Sequence, residues 1–275
     1  MIIDSHQHFW NYCPEDYDWI SDHMATIRRD FSSADLRTVA TPCQVEGAVA
    51  VQARQTLSET EWLLNLASAD PFIRGVVGWA PLTADDIEPI LDGFTVHSAF
   101  KGVRQVLQGQ TDLAFIHGPA FTRGIRALTR RNLTYDLLIT AAQLPDAIAL
   151  VDQHPEQAFI VDHLAKPTIA GPPPTSWVRD LAQIAARPNV SCKFSGVVTE
   201  VRLPQWTPEL LTPYFDVALN AFGPARLLFG SDWPVCLVRT SYQDWVQFVV
   251  ACTASLSAPE QAQILGTNAI DFYQL

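Results

Sequence analysis

The chain has 275 residues, 48% of them hydrophobic, and a formal net charge of −11. That length and apolar share suffice for a large buried core, while the negative charge and the lack of a basic cluster argue against a nucleic-acid surface. Five scattered cysteines, Cys13, Cys43, Cys192, Cys236 and Cys252, include no CxxC pair, which argues against both a disulfide framework and a zinc ribbon.

The first apolar run, residues 2–3, leads at once to Asp4, His6 and His8. In an extended strand alternate side chains share a face, so His6 and His8 converge while Gln7 points elsewhere. That geometry suits a metal ion or a held water; two exposed loop histidines are the plainer alternative. These early polar residues leave no room for a signal peptide's apolar region, and no run of about 20 apolar residues follows, so a cytoplasmic protein is expected. Residues 10–31 form a long connection bearing Tyr12, Tyr17 and Trp19, read as a candidate lid.

Seven further strand-like runs follow at 45–53, 73–81, 100–107, 133–139, 158–163, 190–195 and 226–230. Helical segments alternate with them at 58–69, 82–91, 118–131, 141–154, 176–187 and 208–222, the first opening on a capping box, Ser58-x-x-Glu61. Closing helices are expected at 242–251 and 259–265, the second capped by Ser257-x-x-Glu260. Eight strands alternating with helices, with no GxGxxG loop, predict an α/β chain folded as one closed (β/α)₈ barrel domain over residues 1–275.

In such a barrel the residues at the strands' C-terminal ends meet in one pocket. Strand one brings His6 and His8, strand two Gln52 and Arg54, strand three Trp79, and strand four Lys101, Arg104 and Gln105. Strand five offers Asp136 and Thr140, strand six Asp162, His163 and Lys166, strand seven Lys193 and Ser195, and strand eight Asp232. Asp232, opposite the two histidines, can bind a cation, deprotonate a water or do both. Its alternative role is a helix N-cap. His163 reads also as a core histidine bonded to backbone, and Lys166 and Lys193 as snorkelling lysines. Arg104, on a strand of Val and Leu, would be costly to bury without a partner, which favours a function.

This set, an HxH after strand one, a His on strand six and an Asp after strand eight, resembles the amidohydrolase superfamily. The stretches IDSHQHFW, RRDFSSADL, VVGWAPL, KGVRQVLQ, DHLAKP, CKFSGVVTE and LLFGSDWPVC, in order over residues 2–236, are similar to the lactonase branch of the amidohydrolase-related (amidohydrolase 2) family, the L-fuconolactonases and L-rhamnonolactonases. The resemblance implies hydrolysis of a sugar-derived lactone with Asp232 as general base. It also implies one divalent cation, Zn²⁺ by preference, on His6, His8 and Asp232, with or without His163; metal-independent action on a held water is the other option. A two-metal centre is not expected, because Lys101 lies at the start of its strand and strand five supplies no histidine.

On this reading a cationic His163 and Arg104 would stabilise the oxyanion. Gln52, Gln105 and Lys193 would hold hydroxyls, and Trp10, Trp79 and Trp233 would pack on the ring. The rival functions are a pyrone dicarboxylate or muconolactone-type lactonase, a metal-dependent decarboxylase of the same superfamily, and a noncatalytic sugar-binding barrel. Only Arg54 and Arg104 are placed to receive carboxylates, which favours a small neutral sugar lactone as partner, with neither nucleic acid nor membrane.

Overall fold

The computed structural model describes residues 1–275. Eight strands, β1 (Ile2–Gln7), β2 (Val45–Val51), β3 (Ile73–Gly78), β4 (Phe100–Val106), β5 (Thr134–Leu138), β6 (Phe159–Val161), β7 (Val190–Phe194) and β8 (Leu227–Phe229), lie in sequence order in one sheet. Each pairs with the next in parallel. The sheet curls until the end of β1 meets the segment just past β8 at a parallel bridge between Gln7 and Trp233. There the His8 N–H donates to the Trp233 carbonyl at 2.7 Å and the Asp232 N–H to the His6 carbonyl at 2.7 Å. The bonds that close the barrel therefore also bring His6, His8 and Asp232 to one edge.

Helices wrap the outside: α1 (Ser33–Ala40), α2 (Leu57–Ala69), α3 (Ile87–Thr95), α4 (Pro119–Thr129), α5 (Leu144–Gln153), α6 (Thr175–Ala185), α7 (Pro208–Phe222) and α8 (Tyr242–Thr253). Two short helices, α9 (Ala258–Ala262) and α10 (Asn268–Tyr273), follow, joined by a wide turn over Gln263–Thr267. No helix is long and apolar enough to cross a membrane.

Three local expectations need correction. Helix α1, absent from the sequence reading, is set by a reciprocal capping box between Ser32 and Asp35. The cap of α2 is Thr56, which accepts from the Glu59 N–H, and not the Ser58 box. Helix α3 begins at Ile87, five residues later than expected at 82, because residues 82–86 form turns. The Ser257–Glu260 box is present as expected.

Alternation along the strands separates two apolar compartments. On β7, Cys192 and Phe194 join the large core between barrel and helices, while Lys193 and Ser195 point to the barrel axis and meet His6 and His163. A second, smaller cluster, Ile3, Val49, Val51, Val77, Ile160, Leu228, Ala269 and Tyr273, fills the barrel floor, with Tyr273 of α10 as its plug.

Candidate active site

The candidate site lies at the mouth of the barrel. His6 Nε2 and His8 Nε2 lie 3.2 Å apart, His8 Nε2 is 3.3 Å from Asp232 Oδ1, and His6 Nε2 is 3.8 Å from the same oxygen. His163 Nε2 stands 3.9 Å from it. The His8 Nδ1–H donates to the Val51 carbonyl at 2.8 Å, so Nε2 presents its lone pair to this cluster. A tetrahedral Zn²⁺ with bonds near 2.0 to 2.1 Å separates its ligands by about 3.3 Å. The donor set and spacing of His6, His8 and Asp232 therefore fit one divalent cation.

Below them lies a second layer of charge. Lys193 Nζ is 2.5 Å from Asp136 Oδ2, 3.0 Å from Asp162 Oδ1 and 3.2 Å from His6 Nδ1. The Arg104 guanidinium meets Asp162 Oδ2 at 3.1 Å, the Gln52 carbonyl, and His6 Nε2 at 3.2 Å. His6, Asp162 and His163 also form a group with metal-like spacing, but Lys193 and Arg104 already bring two cations against it. Lys101 is remote from all of this, with its ammonium bonded to the Gln274 carbonyl at 2.6 Å.

Burial fixes the protonation states. It lowers His8, drives His6 well below the usual imidazole range, and brings His163 down to about 4. The expected cationic His163 is thus neutral near pH 7, which leaves Arg104 as the fixed positive charge. Burial alone would raise Asp232, but His163, the His8 hydrogen bond and Lys166 outweigh it and hold the carboxyl below its ordinary range. For Asp162, Lys193, His6 and Arg104 likewise overcome the effect of burial.

The loops that deliver these groups are conformationally costly. Residues 163 to 166 all take positive φ, as does Asp232 at 57°. Non-glycine residues rarely adopt that region, and such strain gathers at sites where the surroundings enforce it. Gly196, also at positive φ, passes so near that a Cβ there would lie 2.4 Å from His163 Nδ1 and 2.7 Å from Asp232 Oδ2. Any larger residue there would displace one of these two groups.

A cavity of about 520 Å³ opens over the cluster, lined by His8, Arg104, His163 and Asp232. Its walls come from the long first loop (Asp16, Asp18, Trp19, Met24), the turn after β2 (Ala53, Arg54, Gln55), and Gln108, Lys166, Thr199 and Glu200. The expected substrate-binding residues sit elsewhere. Trp10 is buried with its indole N–H on the Arg29 carbonyl; Trp233 is buried between Phe9 and Phe31; Gln52 donates to the Arg104 carbonyl. Lys193 is fully buried in the charged layer, and Trp79 and Gln105 are half-buried behind the wall. Trp19 lines the cavity from the long connection expected as a lid; Asp16 and Asp18 on the same connection, and Glu200 after β7, were not singled out, and the aromatic density of residues 10–31 was the sequence signal that pointed to the first two.

A parallel barrel with two histidines at the end of its first strand and a carboxylate after its eighth, gathered at the C-terminal mouth, has the site layout of a barrel enzyme that can hold a divalent cation. The chain belongs to the amidohydrolase family, whose model matches residues 3–275. It is 37% identical to an L-fucono-1,5-lactonase of Burkholderia multivorans, over 100% of this chain and 96% of that one. It is 34% identical to an L-fucono-1,5-lactonase of Burkholderia ambifaria, over 99% and 95%. A crystal structure of a Burkholderia multivorans amidohydrolase with bound zinc superposes with a TM-score of 0.93, at 36% identity, covering 100% of this chain and 99% of that one.

Proposed function

We propose that the protein is a hydrolase that opens a sugar-derived lactone of the L-fucono or L-rhamnono type with a water activated by Asp232. The observation that carries this reading is the likeness, along nearly the whole of both chains, to two L-fucono-1,5-lactonases. The site's chemistry agrees with it. Asp232 is held ionised and lines the cavity, its Oδ1 turned to His8 and its Oδ2 closely approached by Gly196. The carboxylate takes a proton from water as the water oxygen attacks the lactone carbonyl carbon. Arg104, paired with Asp162 yet lining the cavity, faces the charge that develops on the carbonyl oxygen. When the tetrahedral intermediate collapses, the ring C–O bond breaks and Asp232 returns the proton to the departing alkoxide, leaving a hydroxy acid.

One divalent cation, Zn²⁺ by analogy with the zinc-bound relative, would be held by His6, His8 and Asp232 and would polarise the carbonyl when bound. Lys193, which pairs with Asp162 at 3.0 Å and lies 3.2 Å from His6 Nδ1, stands against a second cation and favours a mononuclear site.

The charges that line the cavity are largely spoken for: Arg54 meets Asp16 at 2.7 Å, Lys166 meets Glu200 at 3.5 Å, and Arg104 meets Asp162. A neutral polyol lactone suits this better than a dicarboxylate. Acid release, followed above the spontaneous rate on a panel of aldonolactones and pyrone dicarboxylates, is expected to favour the neutral lactones by at least about 100-fold in kcat/KM. Equal rates on both groups would overturn the charge reading, and no acid release from any lactone would overturn the function.

A further inference from the structure

Among the tryptophans near the site, Trp10 and Trp233 are only 0% and 2% exposed, whereas Trp19 is 39% exposed and lines the cavity. It meets Trp10 edge to face, with ring centroids 5.7 Å apart and planes at 86°. Trp10 in turn stacks toward His8 at 6.4 Å and 28°. An aromatic series thus runs from His8 to the cavity rim and ends in a ring that is partly exposed to the cavity. Asp16 and Asp18, either side of Tyr17 on the same loop, line the cavity with Trp19, and Arg54 faces them from the turn after β2. An aromatic surface beside carboxylates and a guanidinium suits a molecule with an apolar C–H face and a rim of hydroxyls.

We propose that Trp19 is the surface on which the substrate's sugar ring stacks, and so the residue that separates sugar lactones from simple ones. The proposal rests on the lactone reading above and names where that site recognises the sugar. Buried Trp10, held by its bond to the Arg29 carbonyl, fixes the position of Trp19 without touching the substrate. Arg54 and the loop carboxylates are left to meet the hydroxyls.

The test uses the whole protein with Trp19→Ala and Trp19→Phe. Calorimetric titration with an aldonolactam, the non-hydrolysable analogue, reads binding apart from turnover. Initial rates on an L-fucono-type lactone and on hydroxyl-free valerolactone read selectivity. Trp19→Ala is expected to weaken lactam binding and raise KM for the sugar lactone by about 10-fold or more, with kcat within about 3-fold and a smaller rise in KM on valerolactone, whose ring has no hydroxyls to hold it in register against the indole. Trp19→Phe, which keeps a ring face and the packing on Trp10, is expected to restore most of the loss. Unchanged lactam affinity in Trp19→Ala, or an equal loss on both lactones, would overturn the proposal. Lactam bound through Trp19 with no lactone opened would keep the platform and sink the hydrolase reading; lactone opened with lactam affinity unmoved by Trp19→Ala would do the reverse.

Discussion

The two ends of the barrel are built from the same eight strands and obey different rules. At the floor, Ile3, Val49, Val51, Val77, Ile160 and Leu228 pack around Tyr273, and the one polar atom of that plug, the Tyr273 hydroxyl, donates to Asp136 at 2.8 Å. At the mouth, three imidazoles, Asp232 and Arg104 crowd together, and five non-glycine residues sit at positive φ. The floor gains stability from apolar burial; the mouth keeps costly groups that only surrounding structure holds in place. Between them Lys193, Asp136 and Asp162 form a buried ionic layer that touches Tyr273 below and His6 above. The contrast teaches that stability and chemistry are stacked along the barrel axis and should respond to different substitutions.

The largest effect expected is at the mouth. Asp232→Asn keeps shape and volume but cannot accept the water's proton, so kcat should fall roughly 10² to 10⁴-fold, while the melting temperature moves by only a few degrees. Initial-rate and thermal-unfolding measurements on one preparation check both. A variant with near-normal turnover would remove Asp232 from the chemistry; a collapsed melting temperature would erase the division between the two ends.

The floor should behave in the opposite way. Tyr273→Ala opens a cavity beneath the ionic layer and strips Asp136 of a donor, for a loss of about 3 to 5 kcal/mol. The folded fraction should retain kcat within about 3-fold. Urea unfolding gives the first quantity and active-site-normalised rates the second. A large fall in kcat at unchanged stability would mean that the ionic layer transmits the floor's geometry to His6.

A smaller, pH-dependent effect belongs to Glu59, behind the mouth. Its carboxylate accepts from the backbone N–H groups of Ala53 and Arg54, and burial raises its pKa from 4.5 to about 7. Between those values the folded chain binds more protons than the unfolded chain at this site, so its contribution to stability falls as pH rises from about 4.5 to 7. The fall should be of order 2 to 3 kcal/mol and absent in Glu59→Gln. The stability difference between wild type and variant, taken from urea unfolding at pH 5 to 8, should therefore drift against the wild type. Drift in its favour would contradict the assignment.

The floor was easier to read in the sequence than the mouth's walls. Each strand is a short apolar run, and those runs locate all eight. Helix α1 escaped because only Leu36 and Ala40 are buried along Ser33–Ala40, too few for a clear apolar face. The clustering at the mouth was legible because His6, His8, Arg104, His163 and Asp232 lie on or just beyond strands, where position follows from register. The walls were not, since they depend on how loops fold back. Trp10 and Trp233 stand beside reactive residues in the chain, yet the returning loop covers Trp10 with Tyr17 and Phe31, and Trp233 packs on Phe9 and Phe31. Trp19, nine residues further along that loop, comes to the cavity instead. The charge of His163 was misjudged for a related reason: the chain order does not reveal how completely a side chain is buried.

The central claim is that Asp232 acts as a base on water and never as a nucleophile. A single turnover of an aldonolactone by excess protein in H₂¹⁸O tests it most directly. The account predicts one ¹⁸O in the product carboxyl group at the first turnover and none in Asp232. Unlabelled product in that first turnover, with ¹⁸O found in the Asp232 carboxyl, would contradict it.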